Sequence, residues 1–190
     1  MTTLAASRPW PRVKWTKAGQ IAALVGSHAK LDGVAELPPP DAFVRLRTHD
    51  PHQALHFIAH CLPRLDAVRW LAAGLASMAP TSVARRLAAR KAVNRWVAEP
   101  SDANRRLAYQ AGENAGLDTA EGCACLAVFL SGGSLAPAGQ EQAVPAPPAA
   151  FGQALASAVL LAAINDDAVG LASRLDAALA QAEQLAASPA

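Results

Sequence analysis

The amino-acid sequence predicts an all-α protein, a single-domain bundle of about seven to eight helices in which neighbouring helices could stack as hairpins. Apolar residues make up 52% of the chain and are mostly Ala, Leu and Val. Ala and Leu lose little side-chain freedom in a helix, whereas the scarcity of Ile, Tyr and Thr argues against a large sheet. With 190 residues the chain is long enough to bury one substantial core.

The N-terminal segment is polar and interrupted by prolines. We predict that residues 1–15 form a tail that docks through Trp10 and Trp15, ahead of a helical domain over residues 16–190. The stretch "TKAGQIAALVG" predicts a short first helix closed by Gly26, since glycine commonly follows the last helical residue.

The boundaries of the next two helices are set by prolines and aspartates. After the rigid turn in "ELPPP", a short helix could begin at Asp41, although the sequence does not require one. In "HDPHQALHFIAHC", Asp50 can cap a helix and Pro51 suits its first position, where the missing N–H is no loss. Pro63 disfavours helical geometry at the residue before it, so this helix should end near Cys61.

Apolar residues at helical spacing predict the remaining helices. Thr81 or Ser82 is expected to cap the second of them and Ser101 the third. Asp166 and Asp167 diverge on a helix and are expected to cap the last one rather than form a catalytic pair. These helices cover roughly residues 63–78, 83–97, 102–115, 118–131, 151–164 and 167–186.

Charge is distributed unevenly along the chain, although the net charge is only +2. Residues 1–98 hold 14 Lys/Arg and 5 Asp/Glu, a net +9, and residues 99–190 hold 3 and 10, a net −7. The basic part could bind an acidic partner or could be matched internally by the acidic part.

The cellular compartment can be predicted from the lengths of the apolar runs and from the number of cysteines. The longest apolar runs, "CACLAVFL" and "ALASAVLLAAI", fall well short of the ~20 residues that span a bilayer. The N-terminus lacks an apolar signal core. Three cysteines form no even disulfide framework. We therefore expect a cytoplasmic protein without membrane insertion.

The motif that most resembles a metal or catalytic site is the histidine stripe, formed by His52, His56 and His60. With His52 set at 0° on a helical wheel, His56 and His60 fall at about 40° and 80°, beside Gln53 and away from the apolar face. His52/His56 or His56/His60 could clamp zinc at i,i+4 spacing. However, one helix cannot easily supply a third ligand, and Cys61 points elsewhere. The favoured interpretation is a solvated or interface stripe, with no metal and no cofactor.

Two further motifs have simple structural interpretations. The thiols of "CAC" at 123–125 diverge on a helix and are expected to be small buried residues. "SGGS" at 131–134 matches neither a phosphate-binding loop nor a nucleophile elbow, so it is expected to terminate a helix. Residues 132–150, rich in proline and glycine, predict a long extended connection.

A basic helix is predicted over residues 85–95 and contains no acidic residue. Its cations are spread around the helical wheel, which favours a solvated or salt-bridged face. An acidic protein partner is the second interpretation and nucleic acid the third. The cations are Arg85, Arg86, Arg90, Lys91 and Arg95.

Several motifs, in this order and at these separations, carry a family resemblance: "ALHFIAHCLPRLDAVRW", "RWVAEPSDANRRLAYQAGENAG", "FLSGGSLAP", a Pro-rich stretch and "ALASAVLLAA". Over roughly residues 40–165 the chain resembles an uncharacterised family of bacterial helical proteins often encoded near type VI secretion genes. It departs from the family at Val68-Arg69-Trp70, where a Trp-Trp pair is typical, and at Phe129-Leu130, where Phe-Trp is usual.

The resemblance implies an accessory role, as an adaptor, chaperone or assembly factor for a secretion effector or the secretion apparatus. The residues fit this role, because they show no arrangement of nucleophile, base and orienting group, and we do not predict an enzyme. The alternatives are a metal-dependent enzyme built on the histidine helix and nucleic-acid binding through the basic helix. The expected partner contacts are His52, His56, Trp70, Arg86, Arg90 and the exposed part of 132–150.

Overall fold

The computed structural model describes residues 8–25, 31, 33–78, 81–164 and 169–189. These residues form nine α-helices and no strand, which confirms the all-α class with slightly more helices than the sequence predicted. The helices are α1 (Ala18–Val25), α2 (Pro39–His49), α3 (Pro51–Cys61), α4 (Arg64–Ser77), α5 (Ala84–Ala98), α6 (Asp102–Ala115), α7 (Ala120–Leu130), α8 (Ala150–Ile164) and α9 (Leu171–Ala187).

Side-chain caps fix the starts of three helices. The Asp50 carboxylate accepts hydrogen bonds from the backbone N–H groups of His52 and Gln53 at the start of α3, as predicted. Ser101 caps α6 in the same way. Thr119 caps α7. Each oxygen satisfies backbone donors that have no partner inside the helix.

Other predicted boundaries were wrong by a few residues. Neither Thr81 nor Ser82 caps α5, which starts after Val83, because the Thr81 hydroxyl instead accepts the Val83 N–H in the preceding turn. Helix α2 begins at Pro39, before Asp41. The predicted closure at Gly26 and the predicted caps Asp166 and Asp167 lie outside the described residues.

The core is built from alanine-rich helix faces. Several consecutive helices pack as neighbours, most extensively α7 with α8, followed by α6 with α7, α5 with α6, and α2 with α3. Helix α8 returns to pack along α7 and also covers α3 and α4. Small side chains allow this close approach, and large apolar groups such as Phe43, Ile58, Leu71 and Leu155 fill the centre without solvent exposure above 1%.

The N-terminal segment lies on the helices through its tryptophans. Trp10 is buried against Phe43, with ring centroids 5.4 Å apart. The Trp15 indole N–H donates to the carbonyl oxygen of His60 over 3.2 Å. Arg12 connects this segment to Asp66 and, near the other end of the chain, to Ser188. Docking through the tryptophans is thus observed.

The basic and acidic parts of the chain neutralise one another at specific positions. Arg47 on α2 forms ion pairs with Asp176 at 2.7 Å and Glu183 at 3.0 Å, both on α9. Arg86 and Arg90 on α5 bind Glu121 on α7. The internal matching of charge that the sequence left open therefore occurs across two helix pairs, α2 with α9 and α5 with α7.

Candidate functional site

The histidine stripe is divided by the fold. His52 and His56 are exposed on α3, as predicted, whereas His60 is buried, which corrects its placement on the polar stripe. Its Nδ1 lies 2.7 Å from the carbonyl oxygen of His56, and its Nε2 lies 3.2 Å from that of Ala149. The reason is the return of α8, whose Gly152 leaves room for the ring: a Cβ there would overlap the imidazole.

The two exposed histidines remain one turn apart. Burial of part of its ring, together with the nearby His60 and His52, lowers the pKa of His56 below 6.5. His56 therefore favours its neutral form, which is the form that binds metals. Within the part of the chain that the structure describes, no three His, Cys, Asp or Glu side chains converge on a point that could hold a metal ion.

Trp70 lies in the core rather than on the surface. Its side chain is buried on α4, and its indole N–H donates to the carbonyl oxygen of Ala178 on α9 over 3.0 Å. A buried indole with a satisfied N–H is typical of a packing residue. The structure therefore assigns Trp70 to the contact of α4 with α9 and leaves little of it for a partner.

Arg86 and Arg90 hold a buried carboxylate. Glu121 has no solvent exposure, and each of its oxygens accepts one guanidinium N–H at 2.9 Å, from Arg86 and from Arg90. Burial on its own would raise the pKa of Glu121, but these hydrogen bonds outweigh it and the pKa is lowered. The two arginines thus join α5 to α7, and their guanidinium groups face inward.

Cys123 and Cys125 are small buried residues, as their spacing predicted, and Cys61 is buried as well. Cys123 donates to the carbonyl oxygen of Leu117, and Cys125 to that of Ala89. Burial raises the pKa of all three thiols. The pKa of Cys61 lies well above its usual value. The pKa of Cys125 is raised to about 12, because the negative charge of Glu121 adds to the effect of burial. A protonated, buried thiol is a poor nucleophile and a poor metal ligand.

The most elaborate polar arrangement surrounds the loop between α7 and α8, residues 131–149, which we call the anchored loop. Arg105 on α6 is buried and donates to the carbonyl oxygens of Phe129 at 2.6 Å and Ser134 at 2.8 Å. It also binds Asp102, one turn earlier, through two nitrogens. Gly133 lies directly against this guanidinium, and its φ of 67° suits glycine.

Two more arginines bind the same loop. Arg106 donates to the carbonyl oxygens of Ser134 and Ala136 and shares Asp102 with Arg105. Arg64, at the start of α4, donates to the carbonyl oxygen of Ser131. Together the three guanidinium groups satisfy the carbonyls that follow α7, which lack partners within the helix.

The far part of the anchored loop is open to solvent. One backbone hydrogen bond, from Leu135 N–H to the Val144 carbonyl at 2.8 Å, draws its two arms together, and the Ser134 hydroxyl accepts the N–H of Val144. Residues 137–145 are all exposed, as are Pro147 and Pro148. The long connection predicted over 132–150 is thus confirmed, with a fixed base and an open tip.

Sequence reasoning missed Asp102, Arg105 and Arg106. The available signal was that these residues belong to "SDANRRLAYQ", part of one motif of the family resemblance, and that the motif "FLSGGSLAP" follows it in the chain. What pairs the two motifs in space is the antiparallel packing of α6 on α7, which the motifs alone do not specify.

The described residues thus define a class: an all-helical protein with an arginine-anchored, proline-rich loop, in which no helix is long and apolar enough to cross a membrane. The chain belongs to a family of unknown function, DUF6931, whose model matches residues 42–186. That range includes the anchored loop and all three arginines. A search of curated proteins gives no match, and neither does a search of solved structures.

Proposed function

We propose that the protein is a bacterial, cytoplasmic protein-binding accessory factor for type VI secretion, acting as an adaptor, chaperone or assembly protein. The observation that carries the proposal is the anchored loop, whose base is bound by three arginines and whose tip is exposed. Support for the secretion context comes from the family resemblance of the sequence motifs.

The cost of ordering this loop argues for a role in binding. A connection longer than about 15 residues without helix or strand is uncommon in a compact domain and is usually functional when ordered. Each ordered residue loses about 1–2 kcal/mol of backbone entropy, so a short connection would be cheaper for folding alone. Here Arg64, Arg105 and Arg106 offset that loss by hydrogen bonds to the base of the loop.

The chemistry of the tip suits recognition by a protein groove. Val144 is 43% exposed, and Pro145, Pro147 and Pro148 follow it on the surface. Prolines restrict the backbone before binding, so less entropy is lost on docking, and aromatic-lined grooves bind such segments. The tip bears a single charge, Glu141, which favours an apolar contact over an electrostatic one.

Site-specific photo-crosslinking in the native bacterium tests the proposal. A photoreactive residue at Val144 should give a discrete adduct with a secretion effector or apparatus component. The same residue at Gln184, exposed on α9, should not. Changing Pro145, Pro147 and Pro148 to Ala should abolish the adduct.

A matched triple change in the same tip, Gln140→Ala/Glu141→Ala/Gln142→Ala, should keep the adduct, because it leaves the prolines and the anchoring arginines intact. Equal labelling from Val144 and Gln184 would contradict a binding role for the loop. A specific adduct with a protein unrelated to secretion would contradict the secretion assignment alone.

A further inference from the structure

Helix α5 has two chemically different faces. Its inward face buries Ala89, Val93 and Trp96 and directs Arg86 and Arg90 to Glu121, so the two arginines closest to the core are neutralised. The basic residues of α5 lie all around the helical wheel, and the fold divides them into an inward pair that is neutralised and an outward set. Three others, Arg85, Lys91 and Arg95, point outward.

Among the residues that the structure describes, these three outward cations have no acidic partner. All are exposed, α5 contains no Asp or Glu, and among the described residues no carboxylate lies within 4 Å of any of them. Nearby acidic groups are already engaged: Glu121 by two arginines and Glu99 by the side chain of Asn104. The outward charge of α5 therefore remains available to another molecule.

Apolar side chains share the outward face with the cations. Val83, just before the helix, is 39% exposed, and Leu87 is 40% exposed. Small alanines lie between them and the cations, so a partner could approach the helix closely. Ala84, Leu87, Ala88, Lys91, Arg95 and Ala98 recur at the three- and four-residue spacing that places them on one side of the helix.

We propose that this outer face of α5 binds an acidic amphipathic helix of another protein. Leucines of such a helix would pack on Leu87 and the alanines, while its carboxylates would pair with Lys91 and Arg95. Two antiparallel or parallel helices meet through just such repeating positions. This surface belongs to α5, whereas the anchored loop connects α7 to α8. The protein would therefore carry two separate binding surfaces, as an adaptor requires.

Two other occupants fit the outer face less well. Nucleic acid would use cations and aromatic rings, but Trp96, the aromatic residue of α5, is buried, and the centre of the face is apolar. A second copy of this chain would have to offer an acidic helix, yet the acids Asp176 and Glu183 of α9 are already bound to Arg47. An acidic segment of a different protein matches both features of the surface.

Fluorescence anisotropy with designed peptides tests this proposal on the full chain. The probe is a labelled helix of about 20 residues, with leucines at i, i+3, i+4 and i+7 and glutamates elsewhere on the flanks. A second peptide carries Gln in place of every Glu, and a DNA duplex of about 20 base pairs serves as the nucleic-acid probe. We expect saturable binding of the acidic peptide that weakens between about 50 and 300 mM salt, and much weaker binding of the other two.

Charge reversal localises the site. Lys91→Glu/Arg95→Glu should weaken binding of the acidic peptide by at least about tenfold, as should Leu87→Glu. Lys14→Glu/Arg45→Glu changes the net charge equally, at exposed positions elsewhere, and should leave binding within about twofold. Circular dichroism and thermal unfolding verify that each variant folds.

Three results would overturn the proposal: no saturation with the acidic peptide, equal loss in both double variants, or tighter binding of the DNA. Self-association that Leu87→Glu abolishes in sedimentation runs would assign the face to a second copy instead. None of these results bears on crosslinking at Val144, so the two proposals fail separately.

Discussion

Arg105 binds Phe129 twice, through a 2.6 Å hydrogen bond to its carbonyl oxygen and through its guanidinium, 4.6 Å from the centroid of the phenyl ring. One side chain on α6 thereby fixes the last turn of α7 and the entry to the anchored loop. Because Arg105 is 3% exposed, its charge is shielded from water and depends on these partners and on Asp102.

Arg105→Lys should lower the free energy of unfolding by about 2–4 kcal/mol, because an ammonium group cannot reach Asp102, Phe129 and Ser134 together. Urea unfolding followed by circular dichroism measures the change. Arg106→Lys is the matched control, since Arg106 is more exposed, and should cost less than about 1 kcal/mol. Equal losses in the two variants would contradict the anchoring role of Arg105.

Glu121→Gln should destabilise the fold by about 3–5 kcal/mol, since it leaves Arg86 and Arg90 partly buried without an opposite charge. The effect should depend on pH. The pKa of Glu121 is lowered in the fold from its ordinary 4.5, so its contribution is complete above pH 4.5 and is lost as the pH falls through the folded value.

The difference in unfolding free energy between the wild type and Glu121→Gln should therefore be constant near neutral pH and shrink below pH 4.5. Chemical unfolding at a series of pH values measures it. A gap that widened on acidification would mean that Glu121 is protonated in the native protein, contrary to the two hydrogen bonds it accepts.

Gly122→Ala should destabilise the protein by more than about 3 kcal/mol, because the added methyl would overlap the carbonyl oxygen of Gly116. Gly112→Ala should behave similarly, with its Cβ 2.6 Å from that of Cys125. Gly74→Ala is the control: it has open space within 4 Å and lies inside α4, so it should stabilise by about 0.5–1 kcal/mol. Thermal unfolding of the three variants checks this order.

The native protein should resist thiol reagents. All three cysteines are buried and their pKa values raised, so at pH 8 each should react with DTNB at least about 100-fold more slowly than a free thiol. Absorbance at the nitrothiobenzoate band follows the reaction, and all three should react at once in guanidinium. A cysteine that reacts rapidly in the folded chain would contradict the packing of α3 or α7.

Local signals in the sequence were sufficient for helix class and for several boundaries. Asp50 with Pro51, and Ser101, act within a few residues of themselves, so their roles could be predicted. His60 could not be placed correctly from α3 alone, because its burial depends on Gly152 of α8, far away in the chain. The anchoring role of Arg105 could not be predicted either, because its carbonyl partners belong to another helix and to the loop that follows it.

The faces of α5 illustrate the same limit. Periodicity located the basic helix, but five cations around a wheel do not reveal which ones are neutralised. Only the position of Glu121 on α7 distinguishes Arg86 and Arg90 from Lys91 and Arg95. Prediction of a binding surface from the sequence would have required that tertiary contact.

We propose that this protein works by binding another protein through the anchored loop. The most direct measurement is co-purification of the chromosomally tagged chain at its native level, followed by mass spectrometry, with wild type and the Pro145→Ala/Pro147→Ala/Pro148→Ala variant in parallel. We predict that a type VI secretion component is recovered with the wild type and lost with the variant. Identical sets of proteins from both, with no secretion component in either, would contradict the claim.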